Sequence, residues 1–198
     1  SRSTNSGATW STPAVLNTNT SATASFENRA VIAAGSASTW VVAWDSEDTG
    51  AGIAGGDKDI LFSRSTDNGA NWGATAVLNS DAGANHYRNY APAVASDGAG
   101  VWVCAWEAYD STSGTLGFDN DLRFARSTDN GATWSSVANL NTDAAVDARI
   151  DTSVRLATDR SGHWIAVWEG HLNLVNPAGQ DPEIFYAVSG DNGVTWGT

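Results

Sequence analysis

Three observations predict an all-β repeat protein: tryptophans at a fixed period, apolar runs of strand length bounded by turn residues, and no sustained helical periodicity. Trp10, Trp72, Trp134 and Trp196 follow one another at intervals of 62 residues. Trp40, Trp102 and Trp164 keep the same interval, as do Trp44, Trp106 and Trp168, which accounts for all ten tryptophans. An unbroken period of this size marks an array of one supersecondary unit. Residues 1–198 therefore read as a single repeat domain.

Each period resolves into four short strands. The first is expected at 29–34, 91–96 and 153–158. The second, at 39–44, 101–106 and 163–168, is apolar on both of its faces, as a strand buried on both sides must be. The third, at 59–65, 121–127 and 183–189, alternates apolar and polar residues around Ile60 and Phe62 or their equivalents. The fourth is short and has three copies, at 14–17, 76–79 and 138–141, with the C-terminal unit stopping before its own. Four antiparallel strands joined by tight turns describe one blade of a β-propeller, with three blades per chain.

The turn after strand three carries the clearest motif. It runs from Ser65 to Trp72 through Asp67 and Gly69, from Ser127 to Trp134 through Asp129 and Gly131, and from Ser189 to Trp196 through Asp191 and Gly193. The copy from Ser3 to Trp10 has Asn5 in place of the Asp. A short acidic side chain can accept N–H groups inside such a turn. Glycine supplies positive φ, and the tryptophan closes the hairpin on the neighbouring apolar layer. The pattern S-x-D-x-G-x-x-W resembles the Asp-box, or BNR repeat, of sialidase-like β-propellers, and the repeats carrying it tile the whole chain. The resemblance implies that Asp67, Gly69, Trp72, Asp129, Gly131, Trp134, Asp191, Gly193 and Trp196 are structural. It also implies that they lie on the face opposite the ligand site.

Composition narrows the function classes. Ten Lys and Arg against 22 Asp and Glu give a formal charge of −12. Nucleic acid and anionic membrane are thereby disfavoured as partners, because both need a basic face. No apolar run approaches the roughly 18 residues that span a membrane. The absence of methionine points to a processed or excised chain, and the acidity suits an extracellular or cell-surface location. Cys104 has Val42 and Ala166 as its repeat equivalents and is expected to fill an apolar core slot.

Blade connectivity places the turn at 35–38 on the Asp-box face. It places the long segments 18–28 and 45–58, with their counterparts, on the other face, where a rigid scaffold usually carries function. There the units differ. Arg29 with Glu27, Arg88 with Tyr87 and Tyr90, and Arg149 with Asp151 are the ligand-binding candidates. Three arginines in an acidic chain suit a carboxylate or sulfate, and tyrosines suit a sugar face. The expected function is binding of an extracellular acidic glycan, or a structural role in a surface protein. The alternative is a glycoside hydrolase, for which Glu27 and Asp151 are candidate partners across a cleft. The resemblance implies an arginine cluster, a tyrosine and acidic catalysts, but no residue here carries those catalytic roles over. The sialidase Arg-Ile-Pro signature has no counterpart beside Arg29, Arg88 or Arg149. No cofactor is expected. The carboxylate pairs Asp57/Asp59, Asp119/Asp121 and Asp181/Glu183 suggest a structural role, or at most structural calcium. His86, His163 and His171 fall at unrelated repeat positions, so no metal site is assigned to them.

Three blades are too few to close a ring. A second copy related by two-fold symmetry would make six, with the first strand of one chain, at 14–17, completing the last blade of the other. The expected partner is thus a second copy in a homodimer.

Overall fold

In the computed structural model, residues 1–17, 26–47, 57–84, 87–110, 116, 119–147, 149–172 and 182–197 are described. Among them, every regular strand is antiparallel to its neighbours, in three consecutive meanders. The first sheet holds β1 (Glu27–Ala34), β2 (Trp40–Ser46), β3 (Asp59–Ser65) and β4 (Ala76–Val77). The second holds β5 (Tyr87–Ser96), β6 (Trp102–Asp110), β7 (Asn120–Ser127) and β8 (Ala138–Asn139). The third holds three strands: β9 (Arg149–Thr158), β10 (Trp164–Leu172) and β11 (Glu183–Ser189).

The sheets stack face to face, which explains why the second strand of each unit is apolar on both sides. Val41, Ala43, Ile60 and Phe62 of the first sheet pack with Trp102, Cys104 and Trp106 of the second. Val103, Ala105, Leu122 and Phe124 of the second pack with Val154, Trp164 and Ala166 of the third. Trp102, Trp106 and Trp164 are fully buried. At about 25 cal/mol per Å² and roughly 150–250 Å² each, such a side chain contributes about 4–6 kcal/mol of apolar burial. On the far side of the first sheet, Val42, Trp44 and Leu61 are covered by Leu16 of the N-terminal segment together with Trp72 and Val77. Cys104 lies wholly inside the first layer, and burial pushes its thiol pKa far up.

Two expectations about strands are corrected. Strand one was expected to begin at Arg29, Ala91 and Ser153. It begins earlier, at Glu27, Tyr87 and Arg149. Those three expected starts have φ of 50°, 50° and 62°. Pairing with the second strand shifts register beside each of them, so each is a β-bulge after which the ladder resumes. The fourth strand expected at 14–17 does not form. β4 and β8 exist by pairing with β3 and β7, at Leu61↔Val77 and Arg123↔Asn139. Among the described residues, 14–17 has no third strand beside it.

The turns explain themselves bond by bond. Asp67 Oδ1 accepts the N–H groups of Ala70 and Asn71 at 3.0 and 2.9 Å, while Ser65 Oγ accepts that of Gly69 at 2.9 Å. The other two Asp copies repeat the pattern. In the N-terminal copy Asn5 keeps the bond from Thr9 N–H but donates to Thr9 Oγ1, where an aspartate would accept. These bonds hold the Asp67 and Asp129 carboxyls down at about 2 and Asp191 lower still. For Asp67 the main cause is the Asn71 backbone; for Asp129 the bonds from Thr133 and Ser127 outweigh its partial burial; for Asp191 the main cause is Thr195.

Candidate ligand-binding site

Neighbouring sheets are tied by the same polar bonds at each step, and those ties shape the clefts between them. Asp45 Oδ1 on β2 accepts the N–H of Ala91 in the bulge of the next sheet at 3.3 Å. Glu107, one period later, accepts the N–H of Ser153 at 2.8 Å. Near the turns, the Nε of Arg2, Arg64 and Arg126 donates to the carbonyls of Asn68, Asn130 and Asn192 at 2.7, 2.7 and 2.6 Å. Phe62 meets Trp134 edge to face, and Phe124 meets Trp196 likewise, each at 5.9 Å.

Between the first two sheets lies a cleft of about 330 Å³ lined by Arg29, Lys58, Arg88, Tyr90, Tyr109 and Asn120. Arg29 stands at the β1 bulge and Lys58 just before β3. Arg88 and Tyr90 come from β5, with Tyr109 paired opposite Arg88 and Asn120 opposite Tyr109. A bond of 2.8 Å from Asn89 N–H to the Lys58 carbonyl holds the two sheets together at this point. Fully buried Asp45 anchors two of the cations, at 3.4 Å from Arg29 and 3.3 Å from Lys58, and Glu47 lies 3.6 Å from Lys58. The Arg29 guanidinium sits 5.4 Å from the Tyr90 ring centroid. Burial, reinforced by Glu107, raises the Tyr90 hydroxyl to about 12. Arg88 is exposed and, among the described residues, makes no ion pair. No carboxylate lines this cleft among the described residues.

The structure brings together Arg29, Arg88 and Tyr90 and separates the other candidates from them. Arg149 lines a different cleft, of about 250 Å³, with Asp143, Trp168 and Phe185. There it pairs with Asp143, with Asp147 at 2.8 Å and with Asp151 at 3.6 Å, and it lies 4.3 Å from the Phe185 centroid. Tyr87 lies under Arg123, 4.4 Å from its ring centroid, and Arg123 pairs with Asp81. Glu27 is exposed and accepts a long bond of 3.5 Å from Asn17, whereas Asp151 is fully buried and accepts from Asn141 at 3.0 Å. The two occupy the same repeat position on different sheets, each facing its own asparagine. Lys58, Tyr109 and Asn120 escaped the sequence reading.

Acids outside the cleft serve the scaffold. Asp59 accepts from Asn79 at 2.8 Å and Asp121 from Asn141 at 2.6 Å, while the asparagine oxygens accept the N–H of Ile60 and Leu122. Burial raises Asp59 and Asp151 to about 7, Asp121 to about 8 and Asp119 to about 6. Among the described residues, no group of three or more His, Cys, Asp or Glu side chains is arranged to hold a metal ion. His163 bonds Asp159 at 2.7 Å and His171 lies 3.8 Å from Glu169; His86 and Asp181 lie outside the described residues. No described helix is long and apolar enough to cross a membrane.

No family model matches the chain, and no curated protein sequence does. Solved structures do. A Hadza microbial sialidase superposes with a TM-score of 0.64 at 20% identity, over 86% of this chain and 36% of that one. The leech intramolecular trans-sialidase, complexed with 2,7-anhydro-Neu5Ac, gives 0.58 at 10% identity, over 87% and 43%. The GH93 α-L-arabinofuranosidase of Fusarium graminearum, complexed with arabinobiose, gives 0.51 at 18%, over 77% and 42%. The chain thus has the fold of carbohydrate-active β-propellers, and its sheets are blades. It spans less than half the length of each of these structures.

Proposed function

We propose that the chain is part of an extracellular Asp-box propeller that binds an acidic glycan in the cleft between its first two blades. The observation that supports this reading is local charge. Arg29, Lys58 and Arg88 converge between two tyrosines on a protein whose formal charge is −12. Asp45 and Glu47 offset two cations, leaving Arg88 to meet a ligand carboxylate or sulfate by a bidentate bond. Tyr90 and Tyr109 offer ring faces for a pyranose. Binding is the reading the cationic, tyrosine-lined cleft supports directly; glycoside hydrolysis ordinarily requires a pair of carboxylates, and among the described residues none lines the cleft. The hydrolase reading keeps one specific support. Tyr90 stands opposite Glu107 in the β5–β6 ladder. A hydroxyl held near 12 is nevertheless a poor nucleophile at neutral pH.

Calorimetric titration with uronate-containing, sialylated and neutral oligosaccharides tests the proposal. Acidic ligands should bind and neutral ones should not. Arg88→Ala should weaken binding by about 1.5–3 kcal/mol, the range for bonds to charged groups, with an unchanged melting temperature. Added salt should weaken binding further. Equal affinity of Arg88→Ala and the parent chain would remove the cleft from consideration. Release of sugar from any of these ligands would favour the hydrolase instead.

A further inference from the structure

The seam between the second and third blades buries more acid than it has cations to hold. Asp121 on β7 and Asp151 on β9 are fully buried and share one partner. Asn141 Nδ2 donates to Asp121 Oδ1 at 2.6 Å and to Asp151 Oδ2 at 3.0 Å, so the two carboxyls face each other across one nitrogen. Asp121 Oδ2 and both oxygens of Asp119 meet no hydrogen-bond partner among the described residues, although Asp119 is only 5% exposed. Asp119, Asp147 and Asp151 all act on Asp121 through their charge. Among the described residues, Arg149 is the one cation that pairs with this set: with Asp143, with Asp147 at 2.8 Å and with Asp151 at 3.6 Å. Glu107 on β6 also faces the third blade and has its own partner, the Ser153 N–H at 2.8 Å. Five ionised carboxyls around one guanidinium would leave surplus negative charge in a dry joint, where like charges repel strongly. The seam is balanced only while some of these acids hold protons.

The seam between the first and second blades carries the same design with fewer acids. By period, Asp57, Asp59 and Asp81 match Asp119, Asp121 and Asp143, but Asn85 and Asn89 stand where Asp147 and Asp151 do. Asn89 is fully buried and accepts from Trp106 Nε1 at 2.7 Å, and Arg123 pairs with Asp81. One cation thus meets three acids in the first seam and five in the second. We propose that the joint between the second and third blades is a proton-held latch, closed by protons shared among Asp119, Asp121 and Asp151 and loosened as they leave. Burial gives these three values of about 6, 8 and 7. The closed joint holds protons that an open one would release, so closure is strongest below about pH 4 and weakens as pH rises through about 6–8. Asp59 is raised too, to about 7, so the first seam weakens by a smaller amount.

Residue-resolved amide hydrogen exchange of the full chain tests the proposal. The reporters are the N–H of Leu122, which donates to Asn141 Oδ1 at 3.0 Å, and that of Ile60, which donates to Asn79 Oδ1 at 2.9 Å. Protection is taken relative to the unfolded chain at each pH, which removes the pH dependence of the exchange chemistry itself. From pH 5 to pH 8 the Leu122 amide should lose at least about tenfold more protection than the Ile60 amide. Asp147→Asn/Asp151→Asn gives the second seam the amides of the first and should bring the two losses into line. Asn89→Asp should do the reverse and steepen the loss at Ile60. Equal losses in the parent chain, a comparison that needs no variant to fold, would overturn the proposal. So would a difference that survives Asp147→Asn/Asp151→Asn, or an Ile60 amide indifferent to Asn89→Asp.

Discussion

Gly69 and Gly131 hold the same place in the turn, with φ of 74° in both, yet they face different demands. A Cβ on Gly131 would stand 2.8 Å from Val41 Cγ2 of the preceding blade, whereas one on Gly69 meets nothing closer than Trp72 at 3.6 Å. Gly69→Ala should therefore lose about 1–2 kcal/mol, from the left-handed conformation alone. Gly131→Ala should lose about 1–3 kcal/mol more, because Val41 is packed and has to shift. Urea unfolding of the two variants checks the difference, and equal losses would mean the blades tolerate separation at this seam. The turn itself was legible in the sequence, since its Ser, Asp and Gly act within eight residues. The contact of Gly131 with Val41 was not, because nothing local announces which residue of another sheet comes near.

At the level of the strand, the bulges decide what the sequence revealed. Arg29, Ala91 and Ser153 have positive φ without being glycine, so no turn residue marks them, and the shift of register breaks the alternation used to recognise a strand. Residues 87–90 and 149–152 were accordingly assigned to loops, although they continue β5 and β9. The same shift hid the site. Arg29 sits on the bulge, Arg88 matches Phe26 by period, and Arg149 matches Tyr87, so the three arginines occupy three different repeat positions, and only Arg29 and Arg88 share a cleft. A better signal was present in the recurring acids Asp45, Glu107 and Glu169, and in Arg2, Arg64 and Arg126, all spaced by one period. Ala91→Gly should stabilise the fold by about 0.5–1 kcal/mol, since glycine relieves the left-handed strain and gives back only part of the gain through a more flexible unfolded chain. Thermal unfolding reads the sign; a loss of stability would show that the bulge is held without strain.

For the whole molecule, two sets of carboxyls pull the stability curve in opposite directions. Asp67 and Asp129 titrate near 2 when folded, below the ordinary carboxyl range. Their contribution is present above about pH 4 and is lost as pH falls through about 2. Asp59, Asp151 and Asp121 titrate near 7, 7 and 8. Their folded forms hold protons that the unfolded chain has released, so the stability they add is full below about pH 4 and is lost as pH rises through about 7–8. The melting temperature should consequently peak in mildly acidic solution and decline toward about pH 8. Asp121→Asn, which is neutral at every pH and keeps an oxygen for Asn141, should flatten that decline. A variant that declines as steeply as the parent would assign the slope to the general self-repulsion of a chain of charge −12 instead.

The bonds from Arg64 to Asn130 and from Arg126 to Asn192 span 66 residues each, one period plus a turn. Every seam is thus written in the same directional grammar, with a donor at the end of one third strand and an acceptor on the next hairpin. A unit that carries both halves of its own joint is a cassette. Duplicating or excising one whole period leaves every remaining joint matched, whereas a deletion that removes only the arginine or only the asparagine leaves its partner in the next unit unmatched. Lengthening by unequal recombination is therefore open to this gene at little structural cost, and the unbroken register of the tryptophans is the trace such a history would leave.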